Sequence, residues 1–500
     1  MKKIFILFAT VILMIMFAVS ASAETEGYYT YMIKNGEAII TDVDTSISGD
    51  VTIPSTLGGS VVTTIGNSAF KDCIKLTSIT IHNRIATIGY WAFDGCTGLI
   101  SIIVPDNVTS IGYSAFRGCE TLASITLPFI GEALNSTNNT SFGYVFGDVP
   151  TSLREVIITA PCKTIEDAAF YYCTSLTNIE IPDSVTSIGH SAFYGCTNLT
   201  NITIPDSVTT IDHLAFRDCT NLTSITIPES VTFIGYWTFY GCTNLASITL
   251  PFVGETPNGT NNTSFRYIFG DVPTSLREVI ITAPCKTIDN SAFSYCKSLS
   301  KVIISDSVTS IGFGAFLACE DLTDITIPNS VTSIEGASFS GCKKLTTITI
   351  SNSLTHIGNS AFANCSNLTD VYYYGTKEQW NNTTIDYGNN HLTNATIHFC
   401  CSVNSNRMHS YNTITIDPTC TDRGHKIYTC PCGDSYTETL PAKGHTFSGS
   451  VCTTCGYDKA DTCSCNCHKS GLSVLLWKLL NFFYKLLRMN ETCACGVAHY

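Results

Sequence analysis

Charge is scarce in this sequence. Asp, Glu, Lys and Arg make up only 13% of its 500 residues, and the basic members are outnumbered, 27 against 40. An acidic, charge-poor surface does not attract a phosphate backbone, which argues against nucleic acid as a partner. Catalytic patterns are equally scarce. The histidines, among them His190, His213 and His356, are scattered, and no Ser-His-Asp or paired-carboxylate set recurs in a distinctive insertion, so no enzyme is expected. A run long enough to span a bilayer is missing too: the apolar stretch from Ile4 to Val19 is short for that. With Lys2 and Lys3 before it and Ala21-Ser22-Ala23 after it, the stretch reads as a secretory signal, residues 1–23. No Cys follows it to accept a lipid, and no LPxTG-type sorting motif is visible. The mature chain is expected to begin near Glu24 and to work outside the cytoplasm, secreted or kept at the cell surface.

Repetition is what the sequence has in abundance. A unit such as LTSITIPDSVTSIGHSAFYGCTN recurs, and its leading Leu can be followed from Leu76 through Leu99 to Leu368. Each step is 23 residues except Leu122 to Leu153 and Leu245 to Leu276, which are 31. A fixed period of this length marks a solenoid, in which no coil can bury its apolar face without its neighbours. L-x-x-I-x-I alternates like a short strand, Pro ends it, and V-T-x-I-G gives a second short extended piece. A-F-x-x-C reads as a tight helical turn with Phe and Cys facing inward. Phe70, Phe93, Phe116, Phe170 and Phe193 are then expected to stack, each filling the same slot one coil on.

The motif I-P-x-S-V-T-x-I-G-x-x-A-F-x-x-C-x-x-L, which covers most of residues 50–370, resembles the BspA-type leucine-rich repeat family of bacterial surface proteins. Members of that family are surface antigens and adhesins that bind matrix proteins or other cells. The resemblance implies a binding role without naming the ligand. The expected fold is a mainly β leucine-rich-repeat solenoid of short parallel strands and tight turns, capped at both ends and followed by small Cys-rich modules. Residues 24–66 diverge from the repeat and would form an N-terminal cap and first coil, residues 67–368 the solenoid. Residues 369–399, with a short helix around Trp380, would form the C-terminal cap.

The 25 cysteines divide into two groups. Thirteen lie in the repeats, and eleven of those, Cys73 to Cys365, hold one slot per coil. That is how a buried small apolar residue behaves, so thiols are expected there rather than disulfides. Cys162 and Cys285 stand where other coils have Val185 or Val208, again as filler. The other twelve crowd into residues 400–495. In the module 400–460, Cys430-Pro-Cys432 and Cys452-Thr-Thr-Cys455, with His425 and His445 nearby, could hold one structural zinc within residues 420–460. Disulfides among Cys400, Cys401, Cys420 and the same hooks would serve the same purpose. The tail 461–500 brackets LSVLLWKLLNFFYKLLRMN with further cysteines. Lys478, Asn481, Lys485 and Arg488 share one helical face, so residues 472–489 read as an interfacial helix touching a membrane surface or a partner, or as a helix packed on its Cys-rich neighbours.

Two surfaces suit a ligand. Strand positions one, two and four after the Leu, such as Thr223, Ser224 and Thr226, would present hydroxyls, broken by Arg154, Glu155, Arg277 and Glu278. Thr is equally an ordinary exposed strand residue. The two long coils, NSTNNTSFGYVFGDVPTSL and NGTNNTSFRYIFGDVPTSL, offer Phe142, Tyr144 and Phe146, and Phe265, Tyr267 and Phe269, as exposed anchors, unless these fold back on the solenoid flank. The expected partner is an extracellular protein or a ligand on another cell. The alternative is a glycan or cell wall, since aromatics beside Asn and Thr also suit sugars.

Overall fold

An Ile–Thr alternation two or three residues long cannot stand as a strand by itself, but a stack of such strands can. The computed structural model describes residues 23–399 apart from 135, 137 and 258–262. Beyond those it describes 412–419, 423–429, 435–444, 447–448, 451–452, 491–492 and 498–499. The chain divides into two compact units, Met1–Cys162 and Lys163–Tyr500.

The first unit opens with an antiparallel meander, Glu24–Glu26, Tyr29–Lys34 and Glu37–Val43. From its last strand a parallel ladder runs through Ser60–Ile65, Thr87–Ile88 and Ser110–Ile111. A second parallel ladder joins Gly49–Thr52, Leu76–Thr80, Ser101–Ile103, Ser124–Leu127 and Glu155–Ile158. Its register follows the repeat, with Ser78 beside Ser101 and Ser101 beside Ser124; across the long coil Ser124 faces Glu155, so the extra residues leave the ladder intact. The inward residues, Ile79, Ile102, Ile125 and Val156, are all buried.

The second unit repeats the plan. One ladder joins Thr164–Ile165, Ser187–Ile188, Thr210–Ile211 and Phe233–Ile234. Another joins Ser224–Thr226, Ser247–Leu250, Glu278–Ile281 and Lys301–Ile303. The coils that follow end at the strand Asp370–Tyr374, a helix Lys377–Asn382, a helix Asn390–Asn394 and the strand Thr396–Phe399. The first of these helices starts on a capping box: the Thr376 side chain accepts from the Gln379 backbone while Gln379 accepts from the Thr376 backbone. The Tyr373 ring packs edge-on to Trp380 at 5.0 Å. Further along, Asn412–Ile416, Gly424–Thr429 and Ser435–Leu440 form a three-stranded antiparallel sheet.

The A-F-x-x-C segment is a single turn rather than a helix. Its closing bond runs three residues, as from the Cys96 N–H to the Phe93 carbonyl at 3.2 Å. Two features stop it from propagating. The residue two before each Phe lies in the left-handed region, for example Trp91 at φ 54° and Ser191 at φ 55°. The Phe N–H is also spent on the next coil, Phe93 on the Ala115 carbonyl and Phe193 on the Ala215 carbonyl, both at 2.7 Å. Each turn is thus stitched sideways.

Inside those turns the phenylalanines stack. Phe93 lies over Phe116 at 5.5 Å and 7°, and Phe193 over Phe216 at 5.2 Å and 7°. Each ring is fully buried, a contribution of roughly 1.5–3 kcal/mol per residue. All thirteen repeat cysteines are buried thiols. The thiol does more than fill space: Cys119 Sγ donates to the Phe93 carbonyl at 3.3 Å and Cys219 Sγ to the Phe193 carbonyl at 3.2 Å. That carbonyl already accepts the turn's own closing bond, so its second lone pair is satisfied by the neighbouring coil. Valine or alanine could not do this.

Candidate functional site

The long coils come first, because their aromatics were the expected anchors. The structure overturns that expectation for four of the six. Ser141 precedes a one-turn helix, Phe142–Phe146, ended by Gly147 at φ 70°, and Ser264 precedes its counterpart Phe265–Phe269, ended by Gly270 at φ 66°. Phenylalanines four apart fall on one helix face, and that face points inward. Phe142, Phe146, Phe265 and Phe269 are fully buried. Phe146 packs on Phe116 at 5.7 Å and Phe269 on Phe239 at 5.6 Å, so each takes the ladder slot that its coil's missing A-F-x-x-C turn leaves open. Tyr144 and Tyr267 alone remain half-exposed. Burial first, and then the nearby Glu132, raises the Tyr144 phenol above its ordinary pKa. Tyr267 is raised further, by burial and by donating to Glu255 at 3.0 Å.

The strand face carries hydroxyls where expected. Thr223, Ser224 and Thr226 are exposed and Ile225 is buried between them. Many of these hydroxyls are already engaged: Thr223 donates to the Thr200 carbonyl at 3.3 Å and Thr346 to the Thr323 carbonyl at 3.1 Å. The charges that interrupt the face are also spent, Lys301 on Glu278 at 2.6 Å and Arg277 on the Ser298 carbonyl at 3.2 Å. The engaged hydroxyls are those directly after the Leu, whereas Ser224 and Thr226 have no side-chain hydrogen bond among the described residues.

The turn flank differs. Residues beside the ladder Phe point outward, and many are large. In the first unit Tyr90, Trp91 and Tyr113 are 40–47% exposed and run in contact to Tyr144: Tyr90–Trp91 6.2 Å, Trp91–Tyr113 6.3 Å, Tyr113–Tyr144 5.6 Å. In the second unit Tyr171 and Tyr172 pack on Tyr194 at 5.0 and 5.3 Å, and Trp237 packs on Tyr240 at 5.5 Å and on Tyr236 at 5.9 Å. Between these groups lies Arg217, its guanidinium carbon 5.2 Å from the Tyr194 ring, 5.7 Å from Trp237 and 4.7 Å from Tyr240. Glycines let the rings lie close. A Cβ on Gly195 would come within 2.8 Å of the Tyr172 ring, and one on Gly270 within 2.7 Å of Tyr240. Trp91 and Trp237 occupy the left-handed turn position, φ 54° and 53°, where most other coils have Ser or Ala and two have Leu214 and Gly314. A bulky residue with positive φ is uncommon, and here both indoles stay partly exposed, 40% and 43%.

Sequence reasoning passed over this flank. The signal available was variation: after the ladder Phe stand Lys71, Asp94, Arg117, Tyr171, Tyr194, Arg217 and Tyr240 in turn, while the residues around them repeat.

The repeat thiols do not form a reactive site. Burial pushes Cys119, Cys196 and Cys242 up to about 12, far from the thiolate form. The candidate zinc ligands Cys430, Cys432 and Cys455 lie outside the described residues, and Cys452 is described only as backbone in the strand Val451–Cys452. In the adjoining sheet His425 keeps a buried Nδ1 with no hydrogen-bond partner among the described residues. Residues 1–22, most of the stretch that reads as a secretory signal, and residues 472–489 also lie outside the described residues.

Residues 49–146, 143–267 and 265–391 match the family described as BspA type leucine rich repeat region, in six copies. Among solved structures, the chain is similar to a leucine-rich repeat protein from Bacteroides ovatus, with 27% identity over 76% of this chain and 100% of that one, TM-score 0.35. A leucine rich cell surface protein from Faecalibacterium prausnitzii has 27% identity over 73% and 98% of the two chains, TM-score 0.32. A leucine-rich repeat protein from Eubacterium ventriosum has 21% identity over 64% and 94%, TM-score 0.28. No curated protein matches the sequence.

Proposed function

The chain belongs to the BspA-type leucine-rich repeat family, and from that premise we propose that it is a secreted or cell-surface protein that acts by binding rather than by catalysis. It is adhesin-like: the stacked coils of each unit display a ligand surface to an extracellular protein or to another cell. The observation that carries this reading is the exposed aromatic row on the turn flank, Trp91 and Tyr113 in the first unit and Tyr172, Trp237 and Tyr236 in the second. Tyr, Trp and Arg dominate binding hot spots because they bring large rigid areas at low entropic cost. A row of them held by backbone stitching needs little ordering when a partner arrives. Cells and glycans are partners of the same kind of surface, since flat rings also stack on sugar faces.

The test is quantitative binding of the intact secreted chain to a panel of matrix proteins, bacterial cells and glycans. Saturable binding that drops at least tenfold with Trp237→Ala plus Tyr240→Ala supports the reading. Absence of saturable binding to every class on the panel overturns it.

A further inference from the structure

We propose that the turn flank of the second unit is a recognition site for a carboxylated glycan, with Arg217 pairing to the sugar carboxylate and Tyr172, Tyr194, Tyr240 and Trp237 stacking on the sugar rings. This rests on the binding reading above and names what one part of that surface recognises.

Arg217 is the centre of the site. Its side chain is 26% exposed, and of its donors only Nε has a partner among the described residues, the Asp218 carboxylate at a long 3.4 Å. Neither terminal nitrogen has a hydrogen-bond partner among the described residues. Three rings hold the guanidinium in place, so its fork is fixed before a ligand arrives. A planar fork with two free parallel donors fits a carboxylate in bidentate fashion, which a lysine ammonium could not.

The rings select the kind of acid. Tyr172, Tyr194, Arg217 and Tyr240 come from four successive turns, and successive coils in a stack lie about 4.8 Å apart. A chain of pyranose rings advances by close to one coil per sugar, which brings successive sugars over successive side chains. An extended peptide advances about 3.3 Å per residue and alternates its faces, so its acidic side chains fall out of step with the coils. Sugar C–H faces also suit flat exposed rings, and Tyr171, Tyr172 and Trp237 are 43–54% exposed. Chemistry therefore favours a glycan over an acidic peptide.

Charge sharpens the inference. The chain is acidic as a whole, with formal net charge −13, so a polyanion gains nothing from long-range attraction. Binding must come from one defined ion pair on an aromatic bed, which implies a shallow salt dependence.

The experiment is calorimetric titration of the intact chain with four probes: an oligogalacturonate, its methyl ester, a sialylated oligosaccharide and polyglutamate. The expected result is saturable binding of the oligogalacturonate or the sialoside, the two arms separating uronate from sialate as the source of the carboxylate. The ester should bind at least tenfold more weakly than the free oligogalacturonate if that is the ligand. Arg217→Gln and Arg217→Lys should each weaken binding of the acid at least tenfold with an unchanged unfolding midpoint. Equal binding of ester and acid, or no effect of either Arg217 variant, overturns the carboxylate role; the ester comparison needs no variant and is immune to misfolding. Polyglutamate binding as tightly as the best glycan overturns the choice of sugar. Failure of both glycans while a matrix protein or cell still binds through Trp237 ends this inference and leaves the adhesin reading intact. Silence across both panels ends both.

Discussion

Lys71, Asp94 and Arg117 in the first unit and Tyr194, Arg217 and Tyr240 in the second hold the same place, immediately after the ladder Phe of three successive coils, 123 residues apart in the sequence. The first row consumes its own charge. Asp94 is only 5% exposed and takes Arg117 through Nε at 2.8 Å and Nη at 3.1 Å, with Lys71 at 3.5 Å on its other side. The Asp94 carboxylate beside it in turn raises the Arg117 pKa. The second row has no carboxylate at its centre. Arginine stands there instead, flanked by rings, and keeps its terminal donors. One backbone therefore supports a closed ionic patch or an aromatic one, and the choice is made by the residue that follows the ladder Phe in each coil. What the coil needs is the same in both units: Phe in the ladder, Cys behind it, Ile in the strand.

That division can be broken or sharpened by experiment. The largest effect should come from what the units share. Buried repeat thiols have their pKa raised from an ordinary 9 to about 12 by burial, as at Cys119 in the first unit and Cys196 in the second. Unfolded thiols ionise from about pH 9 while folded ones keep their protons, so stability is full below pH 9 and is lost as pH rises towards 12. Each unit of displacement is worth about 1.4 kcal/mol, so several thiols together outweigh any single substitution. Denaturant midpoints measured under reducing conditions from pH 7 to 11 should fall steeply above 9; a flat profile would remove the thiols from the shared core.

Next in size are the ladder rings. Phe93→Ala and Phe193→Ala should each cost about 3–5 kcal/mol in unfolding free energy, and by similar amounts, because both rings are fully buried and stacked on both sides. A marked inequality would mean that the cores differ and not only the flanks. Smaller again is the effect of opening the ionic row. Asp94→Asn should lower the first unit's unfolding midpoint by less than a ladder deletion, since Lys71 and Arg117 can return to water. Arg217→Gln should change stability by no more than about 0.5 kcal/mol, while its effect is read in binding.

Much of the architecture was legible because a period reports it. The 23-residue step located the ladder Phe, the cysteine slot and the strand, and the register of Ser78, Ser101 and Ser124 follows it. The chemistry of the cysteine was less legible: a small apolar slot does not announce that the thiol donates to a carbonyl one coil back. The long coils misled because an insertion reads as a loop. Phe142 with Phe146 and Phe265 with Phe269 are spaced four apart, and that spacing was the sign of a short helix with one inward face. The turn flank was hidden for the opposite reason. Its residues vary from coil to coil, so periodicity is blind to them, and only the fold brings Arg217 between rings that lie 23 residues before and after it.

The most direct measurement compares two multiple variants of the intact chain against the same bound partner: Tyr194→Ala, Trp237→Ala and Tyr240→Ala on the turn flank, and Thr200→Asp, Thr223→Asp and Thr226→Asp on the strand face. If the flank is the binding surface, the first set reduces affinity at least tenfold and the second leaves it within about twofold, both with wild-type unfolding midpoints. Loss of binding by the strand-face set alone, with the flank set unaffected, would contradict the assignment and return the ligand to the hydroxyl face.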